Sequence, residues 1–226
     1  LQLDIRLEHE VMKLQEQDDG WLLRYKNAEG IHEEQFAYVI LAAGQYTDGK
    51  NLPYFVDQEL FRGKIITERD VRSMDIFDGK RVAVVGFGKR ALDMASFAGK
   101  RGAQVQHIFR TPRWTVPEWI LGVHFTHALF NRFGTVMMTS WAHPTPAERF
   151  LHNQMKFVVS SFWDMIASVF RFQIQRNGKG KDQATKDRLN TVIPKHKLSP
   201  DLRSAAALAP VDYYPLVAEG KIQPTQ

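Results

Sequence analysis

The chain opens on alternating apolar and polar positions. Leu3, Ile5 and Leu7 are separated by polar residues, and Val11 and Leu14 follow. A period of two marks half-buried strands. Two turn signals come next, Gln17-Asp18-Asp19-Gly20 and Ala28-Glu29-Gly30, with Trp21-Leu22-Leu23-Arg24-Tyr25 between them. The pattern predicts a meander of about three antiparallel strands. The last strand runs on into Tyr38-Val39-Ile40-Leu41-Ala42, a continuous apolar run. Such a run suits a central parallel strand covered on both faces. It ends in Ala42-Ala43-Gly44, where loss of side-chain bulk permits a close approach.

Residues 48–79 lose periodicity and carry Pro53, Gly63 and Gly79, so they read as a connection between domains. A strand–turn–helix–strand pattern begins at residue 80: strand 81–85, a glycine turn, helix 91–101, Gly102 and strand 104–109. From about 113 to 175 the chain is rich in aromatics and Met, and reads as helices broken at Gly134 and at His143-Pro144-Thr145-Pro146. Glu118, Arg132, Glu148, Arg149, Lys156, Asp164 and Arg171 recur too often there for a transmembrane span of about 20 apolar residues. Two readings stay open for this stretch: core or interdomain packing, or contact with substrate or a membrane surface. Residues 176–200 are polar and read as a loop with a short helix from Ala184. Asp212-Tyr213-Tyr214-Pro215-Leu216 then suggests a short helix, Gly220 a turn and 221–225 a strand returning to a sheet.

The turn reads Gly86-Phe87-Gly88-Lys89-Arg90-Ala91. In a dinucleotide-binding turn the first Gly permits the tight bend and the second lets a pyrophosphate approach the backbone. The third position must be small so that helix and strand can pack, and Ala91 satisfies it. The pyrophosphate would rest on the amides of the helix N-terminus, aided by the helix dipole. An NAD site usually ends its second strand in an acid that binds the ribose and repels a 2′-phosphate. Here that strand ends in Arg110-Thr111-Pro112-Arg113, with no acid. A guanidinium offers planar donors to a phosphate dianion, and Thr111 adds a hydroxyl. The fit is to NADP(H). For Arg90, Arg110 and Arg113 the plain alternative is an ordinary surface arginine.

Composition narrows the field. The chain has 226 residues, 44% hydrophobic and 24% charged, ordinary for a soluble protein of one or two domains. It has no cysteine, which excludes disulfides and a redox Cys pair and is compatible with a cytoplasmic setting. The net charge of +5 is scattered, and its densest run, 179–188, contains Asp182 and Asp187, as a solvated loop would. His124, His127, His143 and His152 lack the fixed spacing of a metal site, so no metal is expected. No Gly-x-Ser-x-Gly elbow accompanies Ser160-Ser161, which disfavours a hydrolase. The aromatics and arginines between Arg110 and Arg149 are too apolar and too helix-periodic for a nucleic-acid surface.

Four segments follow one another in an order and spacing that resembles the flavin-containing monooxygenases, the class B flavoprotein group. They are FAYVILAAGQYTDGKNLP, ELFRGKIITERDV, RVAVVGFGKRALDMA and IFRTPRW. The resemblance implies an α/β flavoprotein of the two-dinucleotide-binding-domain architecture. Residues 1–47 would be part of an FAD-binding domain (β-meander and last strand) and 48–79 an interdomain linker. Residues 80–226 would be a Rossmann-like NADPH-binding domain with a helical insertion at about 113–175. An internal piece of a longer protein is expected, since the segments begin and end inside the family pattern.

The resemblance also implies the cofactors FAD and NADP(H), with a small organic substrate and O2. It places Gly44, Gln45 and Tyr46 near the flavin and the hinge, where the alternative is a strand end and linker. It assigns no catalytic side chain. Two departures stand out. The family's Phe-x-Gly-x-x-x-His and following aromatic map onto Phe61, Gly63, Thr67 and Val71, and the Ser usual before the small residue of the turn is Arg90. Baeyer–Villiger members carry an Arg shortly before a Tyr-Tyr pair; here Arg203 is the nearest arginine to Tyr213-Tyr214, which favours N/S oxidation or an unclassified branch over the Baeyer–Villiger type. The competing expectations are a non-catalytic NADP(H)-binding fragment and a pyridine nucleotide-dependent flavoprotein reductase.

Overall fold

The computed structural model describes residues 4–44, 52–138, 143–205 and 207–226. The chain divides into two compact units, Leu1–Gln58 and Glu59–Gln226. The division falls inside the stretch expected to be a linker.

In the first unit, strands β1 (Glu10–Gln17), β2 (Gly20–Asn27) and β3 (Gly30–Phe36) form an antiparallel sheet in that order. Gln17 pairs with Gly20 and Asn27 with Gly30, so both turns fall at the predicted Gly-ended signals. Asn27 builds the second turn itself: its Oδ1 accepts the N–H of Glu29 at 2.9 Å and of Gly30 at 3.2 Å. Gly20 sits at φ +137°, and a Cβ there would collide with the Phe36 carbonyl oxygen. Tyr25 is the only buried hydrophobic residue among those described in this unit, and its hydroxyl donates to Glu34 at 2.6 Å.

Two expectations fail here. Residues 4–9 form no strand, and Ile5 and Leu7 are exposed. The run 38–42 is not a buried parallel strand either: Tyr38 and Ile40 are each 90% exposed and Leu41 77%. A parallel strand exists only through its neighbours, and no strand among the described residues pairs with this run.

The second unit begins with short 3-10 turns, including Glu68–Asp70 and Met74–Phe77. Strand β4 (Arg81–Val85), helix α1 (Lys89–Lys100) and strand β5 (Gln104–Ile108) follow within two or three residues of the predicted bounds. Helix α1 has no β-branched residue and is rich in Ala, Leu and Met, so local propensity favours it. Leu92, Ala95, Ser96 and Gly99 form its buried stripe, and Gly102 at φ +75° follows its C-terminal end.

The helical stretch starts with the two-residue strands β6 (Thr115–Val116), β7 (Trp119–Ile120) and β8 (Val123–His124). Helices α2 (Phe125–Leu129), α3 (Arg132–Met137), α4 (Pro146–Asn153), α5 (Lys156–Arg176), α6 (Gln183–Thr191) and α7 (Leu198–Ala205) come next. Strand β9 (Ala207–Leu208), helix α8 (Tyr213–Ala218) and strand β10 (Ile222–Thr225) complete the unit. The main sheet is parallel throughout, in the order β10-β5-β4. Its core joins Val84, Val105 and Ile222 to Leu92 and Ala95 of α1, Leu189 of α6 and Leu216 and Val217 of α8.

A second core lies under the helices, where Trp114, Leu129, Met137, Trp163, Phe170 and Leu198 meet. Helix α5 contributes Val159, Trp163, Ala167, Phe170 and Ile174, a stripe at helical spacing. By length and composition α5 is also the one described helix able to cross a membrane, with mean hydropathy 1.2. Its buried stripe is part of the core, as the packing reading expects, while Phe157, Met165 and Phe172 on its other side are more than half exposed.

Gly134 does not break a helix: α3 runs through it, and the break falls at Phe130-Asn131. Asn131 caps α3 by accepting the Gly134 N–H at 2.8 Å, and a Cβ on Gly134 would collide with the Leu129 carbonyl oxygen. The break expected near Pro144 holds, since Thr145 caps α4 and Pro146 opens it.

Candidate nucleotide-binding site

The site is built on the β4–α1 turn. Register sets Val85 beside Ile108, so the C-terminal ends of β4 and β5 lie side by side. Arg110 and Thr111 follow β5 at the same end of the sheet as the turn. Gly86 has φ +112°, a conformation that L side chains rarely adopt. Its N–H donates to the Ile108 carbonyl at 2.8 Å. A Cβ built on it would stand 4.0 Å from the Ala91 Cβ, so the third small position of the turn packs against the first. Gly88 is the N-cap of α1, with no side chain to cap the first turn, and a Cβ there would meet no atom within 4 Å. The N–H groups of Phe87, Gly88 and Lys89 have no hydrogen-bond partner among the described residues. Together these features make an open cradle of amide donors at a helix start, with the chemistry of an anion site.

The side chains of the predicted set divide sharply. Phe87 turns inward and is 6% exposed, so only its backbone faces the cradle. Lys89 pairs along the helix with Asp93 at 2.5 Å, and Arg90 pairs with Glu68. Arg113 lies 4.0 Å from buried Asp201, which also accepts the Trp114 N–H and a ring nitrogen of His196, each at 2.7 Å. Arg110 and Thr111 are exposed, and neither side chain has a partner among the described residues. Gly44, at φ +84°, belongs to the first unit. Gln45 and Tyr46 lie outside the described residues.

The two departures from the resembled pattern are linked. Thr67 accepts from the 3-10 turn it opens, and Asp70 Oδ2 accepts the Thr67 N–H at 2.9 Å. Glu68 of that turn is the partner of Arg90.

Sequence reasoning missed two residues beneath the cradle. His107 and Tyr213 are completely buried, and the imidazole lies between Gly86 and Tyr213. One ring nitrogen, Nε2, is 2.6 Å from the Gly86 carbonyl oxygen, and Nδ1 is 2.7 Å from the Tyr213 hydroxyl. The Phe87 ring stacks on the imidazole at 5.4 Å and 10°, and Phe109 meets Phe87 edge-on at 4.6 Å. Burial lowers the His107 pKa, against an opposing push from the Gly86 carbonyl, and burial raises that of Tyr213. Tyr214 is pushed up to about 12 by burial, and its hydroxyl is 2.9 Å from that of Thr115. The one sequence signal for His107 is its place in the inward series Val105-His107-Phe109, which runs along β5 to the residue after it.

A parallel strand–glycine turn–helix–strand unit with an open amide cradle defines an α/β protein with a candidate anion site at the end of its parallel sheet. The family model described as FMO-like, flavin-binding monooxygenase-like, matches residues 17–169, more than half of the chain. The chain therefore belongs to that family. It is 28% identical over 146 residues to flavin-containing monooxygenase 3 of Canis lupus familiaris, covering 63% of this chain and 25% of that protein. Two solved structures share the fold. One is an oxidized steroid monooxygenase bound to NADP, with TM-score 0.61 and 18% identity over 99% of this chain and 46% of that one. The other is OTEMO in complex with FAD and NADP, with TM-score 0.56 and 17% identity over 96% of this chain and 46% of that one. The chain thus spans about half the length of these two solved chains and about a quarter of the canine relative.

Proposed function

We propose that residues 80–226 are the NADP(H)-binding portion of an FAD-dependent monooxygenase acting on a small organic substrate with O2, and that residues 1–47 belong to its FAD-binding domain. Bound FAD would supply the oxygen chemistry and NADPH the reducing equivalents. This chain's part is to bind and orient the nucleotide. Amides of Phe87, Gly88 and Lys89 would hold the pyrophosphate, the small Gly86–Ala91 contact keeps helix and strand close, and Arg110 would take the 2′-phosphate with Thr111 beside it. Arg90 and Arg113, drawn to Glu68 and Asp201, have lesser parts. Heteroatom oxidation is favoured over Baeyer–Villiger chemistry because residues 204–212 before the Tyr-Tyr pair contain no arginine.

The observation that carries the reading is a guanidinium and an amide cradle at the same end of the sheet, neither with a partner among the described residues. Arg110→Ala tests it. The variant should bind NADPH about 10- to 100-fold more weakly, the loss of a charge-assisted hydrogen bond, and bind NADH nearly as before. Calorimetric titration of both nucleotides measures this, and equal losses for the two would reject the 2′-phosphate role.

A further inference from the structure

We infer that His107 is a positioning residue for the nucleotide cradle, holding the first peptide of the turn so that its N–H, and not its carbonyl, faces the bound anion. The inference rests on the NADP(H) reading and deepens it. A carbonyl oxygen only accepts, so the nitrogen 2.6 Å from the Gly86 oxygen, Nε2, must carry the proton. The other nitrogen, Nδ1, is then the acceptor, and the Tyr213 hydroxyl 2.7 Å away donates to it. Tyr213, His107 and Gly86 form one directed relay, closed off from water because both side chains are fully buried. The stacked Phe87 ring and the Phe109 edge hold the plane of the imidazole, and its two hydrogen-bond partners fix which nitrogen faces which.

Peptide planarity carries the consequence to the site. The Gly86 carbonyl and the Phe87 N–H belong to one trans peptide and point in opposite directions. With the carbonyl drawn inward to His107, the Phe87 N–H points out, without a partner among the described residues, beside the open space at Gly88. Without the imidazole donor, the carbonyl would be a buried acceptor lacking a partner. The peptide would then gain by turning its oxygen toward solvent, into the space an anion must occupy. Strand β5 thus holds the turn twice, by the Ile108 carbonyl on the Gly86 N–H and by His107 on the Gly86 carbonyl, and two residues later it presents Arg110.

The test uses two ligands and two isosteric substitutions in this chain. Gln at 107 can place its Nε2 donor where the imidazole Nε2 stood; Asn reaches only as far as Nδ1. Titrations of NADP+ and of adenosine 2′-phosphate, which lacks the pyrophosphate, are compared for wild type, His107→Gln, His107→Asn and Tyr213→Phe. His107→Asn should lose about tenfold or more in NADP+ affinity, with adenosine 2′-phosphate changed less than about twofold. His107→Gln should keep NADP+ binding within about threefold, and Tyr213→Phe should fall between the two. Should His107→Asn fail to fold, Tyr213→Phe carries the same selective loss in a ring-conserving background. Equal weakening of both ligands, or no weakening of NADP+, overturns the positioning role alone. A wild-type chain that binds neither ligand overturns the NADP(H) reading and this inference with it.

Discussion

Gly86 and Gly88 are needed for different physical reasons, and the difference separates folding from binding. Gly86 is required by its backbone, since φ +112° strains any L side chain. Gly88 is at φ −86° and ψ 172°, where any residue is at ease, and its missing Cβ faces nothing within 4 Å. Gly88→Ala should therefore fold with a thermal midpoint within about 2 °C of wild type, there being no clash and no strain to relieve. The methyl would occupy the approach path of a pyrophosphate, so NADP+ affinity should fall by about tenfold or more. Thermal melts with and without NADP+ check both halves. A stable variant with unchanged affinity would mean that the second glycine does not face the ligand. Of the cations the sequence offered, Arg110 stands out because Lys89, Arg90 and Arg113 each have an acid within 4.0 Å. Two of those acids, Glu68 and Asp201, are distant in sequence, so no local reading separates the arginines.

Elements that draw their stability from local signals were legible in the sequence. Turn residues announced the β1–β2–β3 hairpins, the Gly-x-Gly turn and apolar periodicity fixed β4, α1 and β5, and Gly220 led into β10. What failed depended on partners elsewhere. The run 38–42 has strand chemistry and no strand to join among the described residues, Gly134 serves a close approach to the Leu129 carbonyl, and α7, which starts in the last residues of the stretch read as loop and runs past it, is held by Leu198 in the second core. His107 was illegible for the same reason, because its role comes from Tyr213, 106 positions away.

Helix α6 offers a test of cap chemistry by pH. The Asp182 carboxylate accepts the Thr185 N–H at 2.9 Å, and hydrogen bonds from the Thr185 side chain and backbone, in that order, lower its pKa. A depressed carboxylate pKa means that the charged form favours the folded state. Its contribution is complete above the unfolded value of about 4 and disappears as pH falls through the lower folded value. Asn caps without titrating. The stability difference between wild type and Asp182→Asn should therefore be constant from pH 7 down to about 5 and shrink below about pH 4. Urea midpoints at pH 7, 5 and 3 measure it, and a difference unchanged at pH 3 would remove the charge from the cap.

At the scale of the whole chain, the two units are unequal in the source of their stability. Residues 59–226 hold a three-stranded parallel sheet and two hydrophobic cores, with Leu92, Tyr213, Val217 and Ile222 fully buried. Full burial of such side chains contributes about 1.5–3 kcal/mol each. Among the described residues, the first unit buries one hydrophobic side chain, Tyr25, in a three-stranded meander, and a small sheet with little to cover it is marginal in water. Every residue proposed to touch the nucleotide, and both members of the His107–Tyr213 relay, belong to 59–226. That segment produced alone should unfold in one cooperative transition, within about 3–5 °C of the main transition of the intact chain, and should keep its NADP+ affinity. In the intact chain the amides of β1–β3 should exchange well before those of β4, β5 and β10, because they open without disrupting either core. Calorimetry of the two chains and residue-resolved hydrogen exchange measure these outcomes. Loss of cooperative unfolding on removal of residues 1–58 would show that the meander is part of what holds residues 59–226 together.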